Sequence, residues 1–250
     1  MKSYQQIKKE TIDKWAENGW EWSKPVSHEE FLKAKQGNWN VFLTPTVPVP
    51  HNWLGDLKGK KILGLASGGG QQMPIFSALG AECTVLDYST KQIESEIMVS
   101  KREGYEIEVI EGDMTKNLPF EDESFDIVFN PVSNCYVEDV YHVFNEAYRV
   151  LKKTGVLLAG LNNEINYIVD NDEKEIVWQM PFNPLKDEKA KEFMVKENAG
   201  IQFSHNMTEQ IGGQLKAGFT LVDIYEDTNG FGRLHELNIK SYVSTKSVKL

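Results

Sequence analysis

The chain has 250 residues, of which 40% are hydrophobic and 26% charged, the usage of a folded, water-soluble protein. Lys plus Arg number 27 against 37 Asp plus Glu, a net charge of −10, which repels phosphate backbones and anionic lipid and so argues against nucleic acid and membrane surfaces as partners. Cys83 and Cys135 are the only cysteines, too few for a disulfide framework or a cysteine metal site, and the histidines lack ligand spacing, so no metal is expected.

The first residues, Met1 to Glu10, lack the apolar core of a secretory signal, and no run approaches the ~18 apolar residues of a membrane span. A cytoplasmic location is the resulting expectation. Residues 1–59 hold five of the six tryptophans (Trp15, Trp20, Trp22, Trp39, Trp53) and prolines at 45, 48 and 50, and they read as an aromatic-rich cap in irregular backbone. The tryptophans serve as packing or line a pocket for a flat or cationic acceptor.

From residue 60 onward, strand-length apolar runs alternate with helical segments. Strands are predicted at 61–65, 83–86, 107–110, 125–129 and 156–160. Helices are predicted at 72–79, stopped by Gly80; at 90–103, with Ser89 as N-cap and Gly104 as stop; and at 137–151, with Val140, Val143, Phe144, Ala147, Val150 and Leu151 on one face. Strands separated by helices pair in parallel through right-handed crossovers, which defines a doubly wound α/β sheet. Residues 162–204 exceed what a crossover needs and read as an inserted lid. A helix at 207–217 and strands at 220–225 and 237–245 bring the sheet to seven mostly parallel strands in one domain, 60–250, behind the cap.

The most informative stretch is Ile62-Leu63-Gly64-Leu65-Ala66-Ser67-Gly68-Gly69-Gly70-Gln71-Gln72, where a buried strand runs through three glycines into a helix. Without Cβ atoms the backbone approaches a ligand closely, and the helix N–H groups face it. Asp87 ends the second strand, where an acid can accept both hydroxyl protons of a ribose, so a nucleoside-containing cofactor is expected. A dinucleotide fingerprint would need glycine where Met73 stands, a P-loop would need a lysine after the loop, and a nucleophile elbow would need glycine at Leu65.

In residues 60–160 the chain resembles the class I S-adenosylmethionine-dependent methyltransferases. The resemblance rests on Leu65-Ala66-Ser67-Gly68-Gly69-Gly70, on Asp87, on Glu111-Gly112-Asp113-Met114, on Leu118 to Val128 and on Glu146 to Gly155, in that order and spacing. It departs at Gly64, where family members often carry an acid, and at Ala66, where they carry glycine. The resemblance implies a Rossmann-like fold and S-adenosylmethionine as cofactor, held by Ala66, Ser67, Gly68, Gly69, Gly70 and Gln71 at the loop. Asp87, Tyr88, Ser89 and Gln92 are expected around the ribose, Asp113 and Met114 at the adenine, and Asn130 and Pro131 at the methionine part. The implied activity is methyl transfer, and the net charge of −10 lowers nucleic acid among the acceptors and leaves a small molecule first and a protein second.

An acceptor hydroxyl or protonated amine would call for a base, and His205 has the right pKa range and position after the lid, with Asn134 orienting the acceptor. Two other readings stay open on the residues alone. One is an NAD-linked oxidoreductase, the other a non-catalytic cofactor- or partner-binding protein of the same fold.

Overall fold

The computed structural model describes residues 2–250. Three helices come first: α1 (Tyr4–Glu17), α2 (His28–Lys35) and α3 (His51–Leu54). The sheet region then runs β1 (Lys61–Leu65), α4 (Met73–Ala78), β2 (Glu82–Asp87), α5 (Thr90–Glu103), β3 (Glu108–Glu111), β4 (Phe125–Asn130), α6 (Val140–Val150) and β5 (Leu151–Asn162). After it come α7 (Ile165–Ile168), α8 (Glu188–Lys196), α9 (Met207–Ala217), β6 (Phe219–Asp227), α10 (Gly232–Glu236) and β7 (Tyr242–Lys249).

The seven strands form one sheet in the order β3-β2-β1-β4-β5-β7-β6. β1 to β5 are parallel, while β7 runs antiparallel between β5 and β6. The chain leaves β1 toward β2 on one side and returns to β4 on the other, so the sheet has its switch point at the end of β1. Successive strand residues face opposite sides. Leu63, Leu65 and Val128 pack with the α6 residues Val140, Val143, Phe144 and Ala147. Ile62, Ile127 and Phe129 pack on the other side with Ala34, Val41, Leu43, Trp53 and Phe76. The N-terminal segment is therefore half of the second core layer.

Residues 1–59 are more regular than irregular backbone. Ser3 and Gln6 cap α1 reciprocally, and Ser27 and Glu30 do the same for α2, so each start has both exposed N–H groups satisfied by side chains. Three other boundaries differ from the sequence reading. α6 begins at Val140 because the Asp139 carboxylate accepts the Tyr141 and His142 N–H groups. β5 starts at Leu151 with no intervening turn. The last strand is 242–249, displaced because α10 and the left-handed Asn238 occupy the predicted start.

The segment between β5 and α9 folds over the strand ends around Cys135, Tyr167, Phe182, Ala190 and Met194. It is tied down where Phe203 N–H donates to the Cys135 carbonyl at 2.7 Å and Phe182 N–H to Ser204 Oγ at 2.7 Å.

Candidate active site

The β1–α4 loop is fixed from three directions. Gly68 N–H donates to Asp87 Oδ2 at 2.9 Å, Gly69 N–H to the Gln92 carbonyl at 2.9 Å, and Gly70 N–H to Glu96 Oε2 at 2.8 Å. A Cβ on Gly68 would lie 2.9 Å from the Gln92 Cβ and 3.1 Å from Asp87 Oδ2, so the packing against β2 and α5 requires glycine there. Ala66, by contrast, takes φ +49, a left-handed conformation unfavourable for a residue with a Cβ.

Beyond this loop lies a cavity of about 370 Å³, within the range of small-molecule sites. Ala66, Ser67, Gly68, Gln71, Asp87, Tyr88, Gln92, Met114 and Pro131 are on its wall. The other sequence-predicted residues support the wall from behind. Gly69 and Gly70 shape the loop. Ser89 caps α5, accepting Gln92 N–H and donating to Asp13 Oδ1 at 2.6 Å. Asp113 Oδ1 accepts Thr115 N–H at 2.9 Å, which places Met114. Asn130 Nδ2 donates to the Leu65 carbonyl and to Ser133 Oγ, both at 2.8 Å, locking the ends of β1 and β4 together at the switch point.

Asp87 is buried, and desolvation pushes its carboxyl above the usual range, against the Ser89 and Gly68 N–H groups that favour the ionised form. Gln92 Oε1 is buried without a hydrogen-bond partner on the same wall. An ionisable acceptor at a strand end, an unpaired amide oxygen and a loop stripped of side chains together fit a ribose and its attached chain.

The structure corrects the assignment of His205 as general base. Its ring is 3% exposed and off the cavity wall; Nε2–H donates to the Val137 carbonyl at 2.7 Å, and burial pushes its pKa down. With Nε2 occupied and Nδ1 3.8 Å from Glu209, it is a packing histidine. Asn134 is also fully buried away from the wall, its Nδ2 donating to Gln210 Oε1 at 3.1 Å, so it cannot orient an acceptor directly. Chain position does not reveal which way a side chain turns.

The far half of the cavity comes from segments distant in sequence. Tyr136, Tyr167 and Tyr242 converge there with Asn162, Gln202 and Asn229. Asn162 Nδ2 donates to the Tyr167 hydroxyl at 2.7 Å, and that hydroxyl donates to Gln202 Oε1 at 3.1 Å. Burial raises the three tyrosines and pushes the Cys135 thiol up to about 12. Trp20 and Trp22 also reach the wall, while Trp53 is core, its Nε1–H donating to Asp223 at 2.7 Å. Lys8 and Ile12 roof the cavity from α1, four residues apart on one helical face.

The glycine loop at the switch point, the strand-end acid and the roofed cavity define a Rossmann-like protein with a site fit for a nucleoside-containing cofactor. The family model described as a methyltransferase domain matches residues 63–159. A protein of Bacillus subtilis (strain 168) called an uncharacterized methyltransferase is 39% identical over 246 residues, covering 95% of each chain. A sterol 24-C-methyltransferase of Gibberella zeae is 31% identical over 129 residues, half of this chain and 33% of its own. Among solved structures, an S-adenosylmethionine-dependent methyltransferase from Mesorhizobium loti superposes with a TM-score of 0.62 at 18% identity, over 79% of this chain and 94% of that one. The chain belongs to the class I S-adenosylmethionine-dependent methyltransferase family. Among the described residues no cluster of three or more His, Cys, Asp or Glu could hold a metal ion, and no helix is long and apolar enough to cross a membrane.

Proposed function

We propose that the protein transfers a methyl group from S-adenosylmethionine to a small-molecule acceptor, with both held in the one roofed cavity. The observation that carries this reading is the continuity of that cavity: Gly68, Asp87 and Met114 stand at one end, and Tyr167, Asn162 and Tyr242 at the other. A space of about 370 Å³ beneath α1 and the lid favours a small acceptor over a protein surface.

When bound, S-adenosylmethionine supplies a methyl group made electrophilic by its sulfonium charge. Asp87 would hold the ribose hydroxyls, the backbone of Ala66, Ser67 and Gly68 the methionine chain, and Met114 the adenine. Gln92 Oε1 is free to accept a further hydrogen bond. Asp113, Ser89 and Asn130 act through the residues they hold. The α1 roof and the lid exclude water and hold the acceptor, so the rate gain comes from positioning. Tyr136, Tyr167, Tyr242 and Cys135 keep their protons near neutral pH, since burial raises all four.

Calorimetry with S-adenosylmethionine, S-adenosylhomocysteine and NADH tests the cofactor. Both sulfur nucleosides are expected to bind and NADH is not. Asp87→Ala should weaken S-adenosylhomocysteine by about tenfold or more, the worth of a charge-assisted hydrogen bond. NADH binding alone would return the oxidoreductase reading. Label transfer from methyl-labelled donor into a small-molecule extract separates the enzyme from a binding protein that does not turn over.

A further inference from the structure

Lys8 is 4% exposed and sits on the cavity wall, the only Lys, Arg or His there. Lysines are almost never this buried without a partner, because the ammonium gives up its water. Among the described residues Lys8 Nζ nevertheless has none. Its neighbours act only through space, and burial lowers its pKa while Asp113, Asp87 and Cys135 pull the other way. Its Nζ stands over the Tyr88 ring, 5.5 Å from the centroid. Lys9, one residue on, is ion-paired with Glu111.

The two carboxylates nearby are turned to other donors. Asp87 receives the Gly68 and Ser89 N–H groups, and Asp113 receives that of Thr115. Asp13 on the same helix accepts both Ser89 Oγ–H at 2.6 Å and Lys91 N–H at 3.1 Å, pinning α1 to the start of α5. The helix thus holds an unneutralised ammonium against the cavity, between the Asp87 end and Cys135.

Elsewhere the wall carries the neutral amides Asn162, Asn166 and Gln202, while the Tyr167 and Tyr242 hydroxyls donate to Gln202 and Asn229. The one carboxylate there, Glu173, accepts Leu234 N–H at 2.6 Å. A negative group entering here meets a single cation, and the amides of Asn162, Asn166 and Gln202 each have a second N–H beyond the one given to Tyr167, Ser241 and Ala199.

We propose that Lys8 Nζ is the anion-recognition point of this cavity and that the methyl acceptor is a small molecule carrying a carboxylate. This rests on the methyltransferase reading above. Lys8 is a specificity-determining residue, and the ammonium gains on binding the partner it lacks in the free protein.

The test is calorimetry on the protein saturated with S-adenosylhomocysteine, titrated with acetate, hexanoate and benzoate and with the corresponding neutral amides. At least one carboxylate is expected to bind roughly tenfold or more tightly than its amide, the scale of a charge-assisted contact. In Lys8→Met and Lys8→Gln that preference should vanish while amide binding and S-adenosylhomocysteine affinity stay within about twofold of wild type, below the cost of one lost hydrogen bond. Amides binding as well as acids, or variants that keep the preference, overturn the proposal. So does a loss of S-adenosylhomocysteine affinity in both variants, which would assign Lys8 to the cofactor's own carboxylate. Failure of the wild type to bind S-adenosylhomocysteine sinks the cofactor reading instead, and is seen before any acid is added.

Discussion

Glu96, fully buried on α5, accepts the Gly70 N–H at 2.8 Å and so holds the last glycine of the cofactor loop from the helix side. A Cβ on Gly70 would meet the Val99 side chain at 2.7 Å, so loop and helix touch with no space between them. The acid that steadies this loop thus comes from α5, while β1 carries glycine at position 64, where a Cβ would press on the Met73 sulfur at 2.9 Å.

Burial raises the Glu96 carboxyl from 4.5 to about 7, outweighing the Gly70 N–H and the Tyr105 hydroxyl, with Asp87 adding to the rise. The folded protein therefore binds a proton here that the unfolded chain has released. Stability contributed by this proton is complete below pH 4.5 and is lost as pH rises through about 7. The full change is on the order of 3 kcal/mol. In Glu96→Gln this dependence should disappear, so thermal unfolding midpoints of the variant and wild type should converge at acid pH and separate above neutrality, the variant higher. Parallel curves would show that Glu96 does not titrate in this window.

Ala66 offers a simpler test, because its φ of +49 forces a Cβ into the left-handed region. Ala66→Gly relieves a strain of about 1 kcal/mol, less a few tenths for the greater freedom of glycine in the unfolded chain. Urea denaturation should show a raised midpoint with an unchanged slope.

Gly160 in β5 is a contact point between the sheet and the cavity wall. A Cβ there would lie 2.1 Å from the Leu43 carbonyl oxygen, and that oxygen accepts Val132 N–H at 3.1 Å. Gly160→Ala must displace the Phe42–Leu43–Thr44 wall and is expected to cost about 1–3 kcal/mol or more. The measurement is the denaturation midpoint together with S-adenosylhomocysteine affinity, and both should fall.

His205→Gln separates packing from chemistry. Loss of the buried contact with Val137 should cost about 1–3 kcal/mol of stability. S-adenosylhomocysteine affinity and the pH profile of methyl transfer should match wild type. A lost acid limb in that profile would restore His205 as a base.

How far the fold could be read from the chain differs by region. α5 runs from Thr90 to Glu103 as its caps dictate, Ser89 accepting Gln92 N–H and Gly104 in the left-handed conformation. The glycine loop and Asp87 are equally legible, because a strand, a turn and a helix start write their demands into adjacent residues. The last strand starts several residues beyond the predicted 237 because Leu237 is apolar yet caps α10, where Glu173, far back in the chain, accepts Leu234 N–H.

By itself the sequence determined the α/β alternation, the position of the glycine loop and the strand-end acid Asp87, since each depends on neighbours within a few residues. Only the tertiary structure decided that His205 turns inward and that Lys8 faces the cavity. It alone brought Tyr136, Tyr167 and Tyr242 together from three separate elements. Those facts depend on which surfaces α1 and the lid cover. Burial and an absent ion-pair partner are properties of packed neighbours hundreds of positions away in some cases, and no local pattern of residues encodes them.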